Sequence, residues 1–223
     1  MITVHHLNNS RSQRVLWLLE ELELPYEIVK YERDPQTMLA PRSLEKIHPL
    51  GKSPVISDGG VVIAESAVIL EHLVEQHGKG RLVPPAGTPA YRDYRYFMHY
   101  AEGSLMPNLL LKLVCNRIKA KAPFLVRPVA KKIANTVSDT FVDPNLKRHL
   151  AFLDDHLAKH AWFAGDELTA ADIQMSFGCE AIVARGGGLG VSVERIRKLV
   201  DTFRARPAYQ RALDKGGPYS LES

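Results

Sequence analysis

The chain has 223 residues, of which 45% are hydrophobic, and carries a formal net charge of +4. This is ordinary for a globular protein with a real core, and the length favours two small domains. No run approaches the roughly 18 consecutive apolar residues that a membrane helix needs, and the N-terminus lacks the pattern of a signal peptide, so we expect a cytoplasmic protein with no membrane contact.

The cysteine count limits the chemistry further. Cys115 and Cys179 are the two cysteines of the sequence, and both fall in segments with a helical pattern. Two cysteines are too few for a disulfide framework or a four-ligand zinc site. We therefore expect a reducing compartment and no metal.

Charge is distributed unevenly along the chain. Residues 1–77 contain 7 basic and 11 acidic residues, whereas residues 78–223 contain 22 and 14. A basic half can indicate nucleic-acid binding, but these charges are scattered along predicted helices without interleaved aromatic residues. We expect no nucleic-acid partner.

The first elements form a βαβ pattern. Apolar and polar residues alternate over 2–6, which predicts a strand, and an apolar stripe with helical spacing runs through 15–22 until Pro25 ends it. Residues 26–31 predict a second strand. Two strands joined by a helix in this way are parallel, with a right-handed crossover.

A hairpin and a helix complete the first half. The segments 54–57 and 61–64 flank Asp-Gly-Gly at 58–60, a strong hairpin signal that predicts antiparallel pairing. A short irregular helix is expected within 38–47, before the hairpin, and a regular helix over 67–75, after it. The predicted order is therefore β-α-β-α-β-β-α.

A linker separates this half from a helical remainder. Residues 78–89 hold three glycines and three prolines. The helical segments beyond are separated by prolines and by glycines, including the run at 186–188, and lie near 90–120, 125–142, 145–160, 171–185, 193–205 and 207–214. We predict an α/β domain at 1–77, the linker at 78–89 and an all-helical domain at 90–223.

Four short segments carry a family resemblance. They are SRSQRV at 10–15, HPLGKSPV at 48–55, ES at 65–66 and LTAADI at 168–173. Their order and spacing resemble the serine-type cytosolic glutathione S-transferases of bacteria and fungi, over nearly the whole chain. The resemblance implies a thioredoxin-like domain that binds glutathione as co-substrate, with no permanently bound cofactor. It also implies a helical domain that holds a hydrophobic electrophile.

Such a transferase must convert the thiol of glutathione to a thiolate. Lowering a thiol pKa from near 8.5 by about two units requires favouring the anion by about 2.7 kcal/mol. A hydroxyl that donates to sulfur at the positive end of a helix can supply this. The resemblance implies that Ser10, four residues before Arg14, is this catalytic group.

Other interpretations of the same loop stay open. Ser10 and Gln13 also have the spacing of a capping box, which starts a helix without any catalytic role. Ser12 is a competing donor. Asn9, Arg11 or a backbone amide of the loop are further candidates.

The resemblance also implies how glutathione is held. Pro54 occupies the place of a cis-proline, and Ser53 before it offers its main chain to the cysteinyl part of the peptide. Glu65 pairs with the ammonium of the γ-glutamyl group, and Ser66 and the helix amides bind its carboxylate. Lys52, in preference to His48, meets the glycyl carboxylate.

Each of these residues also has a purely structural interpretation. A proline often begins a strand. Ser66 is a suitable helix cap and Glu65 a favourable charge at the helix dipole. Lys52 and His48 are ordinary solvated loop residues.

The second substrate is specified less well. The resemblance places it beside the first helices of the second domain, at Tyr100, Leu105 and Met106, in a stretch that also contains Tyr96 and Leu110. The helical spacing of these residues is equally what a buried core shows. In the same half, Thr169 and Asp172 have capping-box spacing and are predicted to be structural.

The sequence leaves two alternative functions open, and the resemblance implies one oligomeric state. The fold also serves non-catalytic interaction modules, and a peroxidase reaction through the sulfur of glutathione is open. Mixed-disulfide chemistry through an enzyme cysteine is disfavoured because the loop at 9–12 contains none. The family resemblance implies a homodimer in which unlike domains face each other.

Overall fold

A computed structural model describes residues 1–185, 189–217 and 219–221; the predicted helix break at the glycine run 186–188 lies outside them. The strands are β1 (Ile2–Leu7), β2 (Tyr26–Tyr31), β3 (Val55–Asp58) and β4 (Val61–Ala64). The helices are α1 (Ser12–Leu22), α2 (Ser66–His77), α3 (Pro89–Tyr100), α4 (Met106–Lys121), α5 (Arg127–Val137), α6 (Asp143–Leu157), α7 (Ala170–Arg185), α8 (Glu194–Arg204) and α9 (Pro207–Gly216).

The strands form one mixed sheet in the order β2-β1-β3-β4. β1 and β2 are parallel, with Ile2 opposite Tyr26, and β3 is antiparallel to both β1 and β4. Gly59 and Gly60 both have positive φ, 56° and 89°, as the tight turn of this hairpin requires. The sheet, its helices and the helical region that follows confirm the predicted fold class.

A short wide turn interrupts the predicted helix 90–120, and another forms the end of the predicted helix 125–142. A π-helical turn, Ala101–Leu105, lies between α3 and α4, and another, Ser138–Val142, lies between α5 and α6. Turns of this kind occur often at functional sites.

The predicted irregular helix over 38–47 is shorter than expected. Only Arg42–Lys46 forms a helical turn, of the 3-10 type. Met38 has a left-handed backbone with φ of 62°, and Asp34 accepts the N–H groups of Gln36 and Thr37, which makes a local turn instead. This competition between side chain and backbone is typical of aspartate before a loop.

Helix α1 is buried on every side because it lies between the sheet and the helical half. The Trp17 ring packs against Phe203 and Tyr209, with ring centroids 5.2 Å away in each case. Several polar residues of α1 are paired across the same contact. Glu21, for example, accepts from Arg206 Nε at 2.6 Å and from Trp17 Nε1 at 2.8 Å.

Within the ranges that the structure describes, the search for membrane-spanning helices found none of sufficient length and apolar character.

Candidate functional site

A cavity of about 210 Å³ lies where the N-terminal sheet meets the helical half. It is bounded by the loop before β3, the start of α2, the loop before α1 and the π-helical turn after α3. Its lining includes six residues singled out in the sequence, namely His48, Lys52, Ser53, Pro54, Glu65 and Ser66, together with Arg11 and Glu102. The loops and helix ends therefore bring the predicted glutathione ligands together.

Ser53 and Pro54 form the floor of this cavity, and the peptide bond between them is cis. The Ser53 hydroxyl donates to the carbonyl of His5 at 2.9 Å and accepts from the N–H of Leu7 at 3.3 Å. Its side chain is thus held by β1. What Ser53 can offer a ligand is its main chain.

The start of α2 forms a second wall. Glu65 is exposed and has a positive φ of 72°, while Ser66, the first helical residue, is buried. The first amides of a helix lack intrahelical partners and lie at its positive end. A carboxylate beside such a helix start suits a ligand that carries an ammonium and a carboxylate on one carbon.

The loop before β3 supplies two basic groups. Lys52 is exposed at the cavity edge. The Nδ1 atom of His48 accepts from the N–H of Leu50 at 3.4 Å, so that side of the ring serves the loop itself. Lys52 is therefore the better placed of the two to bind an anion.

The Ser10 and Ser12 side chains are both buried, and neither lines the cavity. Their Oγ atoms lie 2.8 Å apart, and Ser10 Oγ also accepts from the Ser12 N–H at 3.2 Å. Ser12 Oγ lies 2.8 Å from His6 Nδ1. The Ser10 hydroxyl therefore points into this hydrogen-bond network and away from the cavity. Its role as the donor to the thiol stays a prediction.

The reciprocal capping box of Ser10 and Gln13 does not form. α1 begins at Ser12, whose N–H is accepted by Ser10 Oγ, but the Gln13 side chain makes no bond in return. Gln13 is buried, and neither polar atom of its side chain has a partner among the described residues. Gln13 points inward because α1 is buried on all sides.

Arg11 and Glu102 form the remaining wall. Arg11 Nε donates to Glu102 Oε1 at 3.0 Å, and Arg14 Nη2 donates to the same oxygen at 2.6 Å. Burial alone would raise the pKa of Glu102, but the two guanidinium groups hold that pKa below its ordinary value. The π-helical turn thus carries an ionised carboxylate to the cavity.

Glu102 was not predicted from the sequence. It is one acidic residue in a helical stretch whose other signals concern the core, and no local pattern marked it. Arg11 was considered only as a neighbour of Ser10. Both enter the site because the side chains of Arg11 and Arg14 reach Glu102 on the π-helical turn.

A second cavity, of about 260 Å³, shares Arg11 with the first. Its lining is apolar along α4 and α7 and basic at several points: Asn9, Arg11, Arg33, Met38, Met106, Leu109, Leu110, Leu113, Arg117, Phe177, Ala181, Arg185, Ser220 and Leu221. Two adjoining cavities, one polar and one largely apolar, suit a reaction between two unlike substrates.

Comparison with known proteins identifies this arrangement. A sequence model of the glutathione S-transferase N-terminal domain matches residues 10–76, and one of the C-terminal domain matches residues 116–207. The chain belongs to the glutathione S-transferase family. The predicted family and enzyme class are thereby confirmed.

Individual glutathione S-transferases support the assignment. The chain is 40% identical over 177 residues to glutathione S-transferase 3 of Schizosaccharomyces pombe, covering 79% of this chain and 72% of that one. It is 30% identical to glutathione S-transferase 1 of Saccharomyces cerevisiae, covering 96% and 95%. A crystal structure of a glutathione S-transferase from Actinobacillus pleuropneumoniae matches with a TM-score of 0.75, 28% identity and coverage of 97% and 93%.

The residues predicted for the second substrate of this transferase are not all brought together. Met106 and Leu110 line the second cavity. Leu105 is fully buried in the core. Tyr100 lines a separate cleft of about 750 Å³ with Tyr96, and its hydroxyl lies 2.6 Å from His149 Nδ1. The helical spacing of this stretch could not show which residues face which cavity.

The capping box of the helical domain forms as predicted. Asp172 accepts from the N–H and the hydroxyl of Thr169, at 2.8 and 3.0 Å, and from the N–H of Phe163 at 2.7 Å. Burial raises the pKa of Asp172 to about 6, although these hydrogen bonds oppose the shift. Its role is to start α7.

A cluster outside both cavities was not predicted. The Nε2 atoms of His77 and His72, on α2, lie 2.7 and 3.0 Å from Oδ2 of Asp58 at the end of β3. Hydrogen bonds from the two imidazoles lower the pKa of Asp58. The prediction of no metal site rested on cysteines and did not consider these three residues, which lie on β3 and α2.

Proposed function

We propose that the 210 Å³ cavity binds glutathione and that the protein activates its thiol as a thiolate, which attacks a hydrophobic electrophile in the adjoining cavity. The observation that carries this proposal is that Arg11 lines both cavities. A sulfur atom beside Arg11 is within reach of a substrate on either side. Family membership supports the same chemistry.

The walls of the first cavity suggest how the peptide lies. The γ-glutamyl end meets Glu65 through its ammonium and Ser66 with the α2 amides through its carboxylate. The cysteinyl part runs along the main chain of Ser53, beside the cis bond to Pro54. The glycyl carboxylate extends toward Lys52.

Two groups compete for the sulfur. Ser10 is the candidate from sequence, but its hydroxyl must leave Ser12 to reach a ligand in the cavity. Arg11 already lines the cavity, and a guanidinium close to a thiol favours the thiolate electrostatically. Glu102 neutralises only part of this charge, because its one carboxylate is shared between Arg11 and Arg14. The geometry therefore favours Arg11 as the group that stabilises the thiolate.

The reaction needs no permanently bound cofactor. The thiol gives its proton to solvent, the sulfur lone pair forms a bond to the electrophilic carbon, and the leaving group departs with the bonding electron pair. An attack on a peroxide oxygen by the same thiolate is the alternative reaction. A non-catalytic interaction module is the other alternative.

We also propose that the protein is cytoplasmic and forms a homodimer. Exposed apolar side chains occur in both halves, with Val61 60% exposed on β4 and Tyr96 48% exposed on α3. Such residues suit a contact between unlike domains of two subunits. Light scattering after size-exclusion chromatography tests the assembly, and a monomer at micromolar concentration would contradict it.

The deciding experiment is calorimetry with glutathione, followed by titration of the bound thiol through its thiolate absorbance. We expect uptake below millimolar concentration, and Arg11→Gln to raise the pKa of the bound thiol by about one unit. Ser10→Ala and Ser12→Ala serve as rival variants, and Arg197→Gln, at an exposed site on α8, is the matched control.

Each outcome has a definite meaning. If the pKa of the bound thiol rises in Ser10→Ala and does not change in Arg11→Gln, Ser10 is the group that activates the thiol. No uptake of glutathione at millimolar concentration overturns the proposed function. Assays with an aryl chloride and with an organic hydroperoxide then separate the transferase from the peroxidase.

A further inference from the structure

The second cavity combines an apolar floor with four arginines. Its apolar surface comes mainly from α4 and α7, and the charges come from Arg11, Arg33, Arg117 and Arg185, which we call the arginine rim. No acidic residue lines this cavity within the part of the chain that the structure describes. A cavity built only for neutral apolar molecules gains nothing from four cationic groups.

Arg33 is held in position by neutral groups. Its guanidinium donates to the backbone carbonyls of Met38, Asn8 and Asn9 at 3.0, 3.3 and 3.4 Å. Three bonds to carbonyls fix the side chain without cancelling its charge. Among the described residues, no carboxylate pairs with Arg33.

Arg11 and Arg117 keep net positive charge as well. Arg11 shares the single carboxylate of Glu102 with Arg14, so this group of three carries one excess positive charge. Arg117 is exposed on α4, and within the described ranges no carboxylate forms an ion pair with it. Arg185 lies at the end of α7, opposite them.

The charges of the rim act on one another. Burial, followed by the charges of Arg11 and Arg117, lowers the pKa of Arg33. Burial and the charge of Arg117 likewise lower the pKa of Arg185, against the opposing effect of Tyr219. Like charges that converge on one space repel, and an anion bound between them relieves the repulsion.

We propose that this cavity selects amphipathic anions, namely electrophiles with an apolar body and a carboxylate or a similar anionic group. This rests on the proposed function, because the electrophile is to react with the sulfur of bound glutathione. The apolar body packs on Leu109, Leu113 and Phe177, and the anionic group binds the rim at Arg33 and Arg117. The reactive carbon faces Arg11.

A matched pair of aryl chlorides tests the selectivity. In 4-chloro-3,5-dinitrobenzoate and its methyl ester the same reaction occurs: a C–S bond forms, the C–Cl bond breaks, and chloride leaves with the bonding pair. Each kcat/KM is divided by the rate of the uncatalysed reaction with glutathione, because the two compounds differ in intrinsic reactivity. We expect the carboxylate to be preferred by about tenfold or more.

Arg117→Gln is the main variant because this side chain is exposed and its loss leaves the fold intact. We expect the preference for the carboxylate over the ester to fall about three- to tenfold, because only the carboxylate carries the charge that Arg117 binds. Arg33→Gln should act in the same direction, and Arg197→Gln is the control. Raising the salt concentration should also reduce the preference of the unmodified protein.

A dye pair tests the cavity without glutathione. Fluorescence titration compares 8-anilinonaphthalene-1-sulfonate with N-phenyl-1-naphthylamine, which lacks the sulfonate. We expect tighter binding of the sulfonate, and Arg117→Gln to weaken only that dye.

The two proposals can fail separately. The anion selectivity is overturned if the normalised kcat/KM is the same for the carboxylate and the ester and Arg117→Gln does not change dye binding. This holds even where conjugation proceeds. Selective binding of the sulfonate by a protein that takes up no glutathione supports an anion site and overturns the transferase reaction.

Discussion

Arg14, on α1, donates a 2.6 Å hydrogen bond to Glu102, on the π-helical turn of the helical half. Arg14 is only 2% exposed and also donates to Gln174 on α7 at 2.7 Å. The contact therefore joins three segments that lie far apart in the sequence. It fixes the loop that carries Arg11 relative to the second cavity.

Replacing Glu102 should cost stability. We expect Glu102→Gln to lower the free energy of unfolding by about 3 kcal/mol, because it leaves the Arg14 guanidinium buried without a counter-charge. Urea unfolding measures the change, and Glu167→Gln, at an exposed position, is the control. Equal stability of the two variants would show that Arg14 finds other compensation.

Acid should destabilise the protein through His6. Burial, with a smaller effect of Lys30, lowers the pKa of His6 from its ordinary 6.5 to about 4. The unfolded chain then binds more protons between these values, so the free energy of unfolding is fully retained above pH 6.5 and falls as the pH drops toward 4. The loss amounts to about 3 kcal/mol at most.

Urea unfolding at pH 7 and pH 5 checks this effect in the unmodified protein and in His6→Asn. Asparagine keeps an acceptor near the position of Nδ1, toward Ser12, but does not titrate in this range. The variant should therefore lose less stability on acidification. An identical pH dependence in both proteins would assign the effect to other groups.

The capping box of α7 should be energetically important. We expect Asp172→Ala to lower the free energy of unfolding by about 2–4 kcal/mol, because it leaves the N–H groups of Phe163 and Thr169 buried without their acceptor. Thr169→Ala removes one hydroxyl and should cost about 1 kcal/mol. Chemical denaturation of both variants tests this order, and the reverse order would contradict it.

The contact between α1 and α9 depends on complementary charge within the chain. Glu20 is buried and accepts from Arg211 Nε at 2.8 Å and from the Tyr26 hydroxyl at 2.7 Å, and it also pairs with Lys215. We expect Glu20→Gln to lower the free energy of unfolding by about 1–3 kcal/mol. Glu27→Gln, exposed on β2, should have little effect, and equal losses would argue against a specific contact.

Much of the fold followed from local patterns. The alternation over 2–6, the helical stripe over 15–22 and the Asp-Gly-Gly turn each predicted an element that forms. The partial failures were also local in cause, since the turn around Asp34 shortened the predicted irregular helix. The domain limits at 78–89 stay a prediction.

The candidate site was predicted unevenly. Residues 48–54 and 65–66 were found because short motifs hold them in two loops, and those loops meet at one cavity. Ser10, Leu105 and Tyr100 lie elsewhere because the direction of a buried side chain depends on every neighbour. Part of the charge imbalance between the two halves is neutralised within the chain, because acidic Glu20 on α1 pairs with basic residues of α9.

The sequence alone determined the family, the order of the elements and the loops that form the first cavity, because these depend on residues close together in the chain. Only the tertiary structure decided that Ser10 turns inward, that Arg11 lies between two cavities, and that Glu102 and the arginine rim belong to the site. Those facts depend on contacts between residues up to a hundred or more positions apart, and the side-chain geometry at such contacts has no local signature.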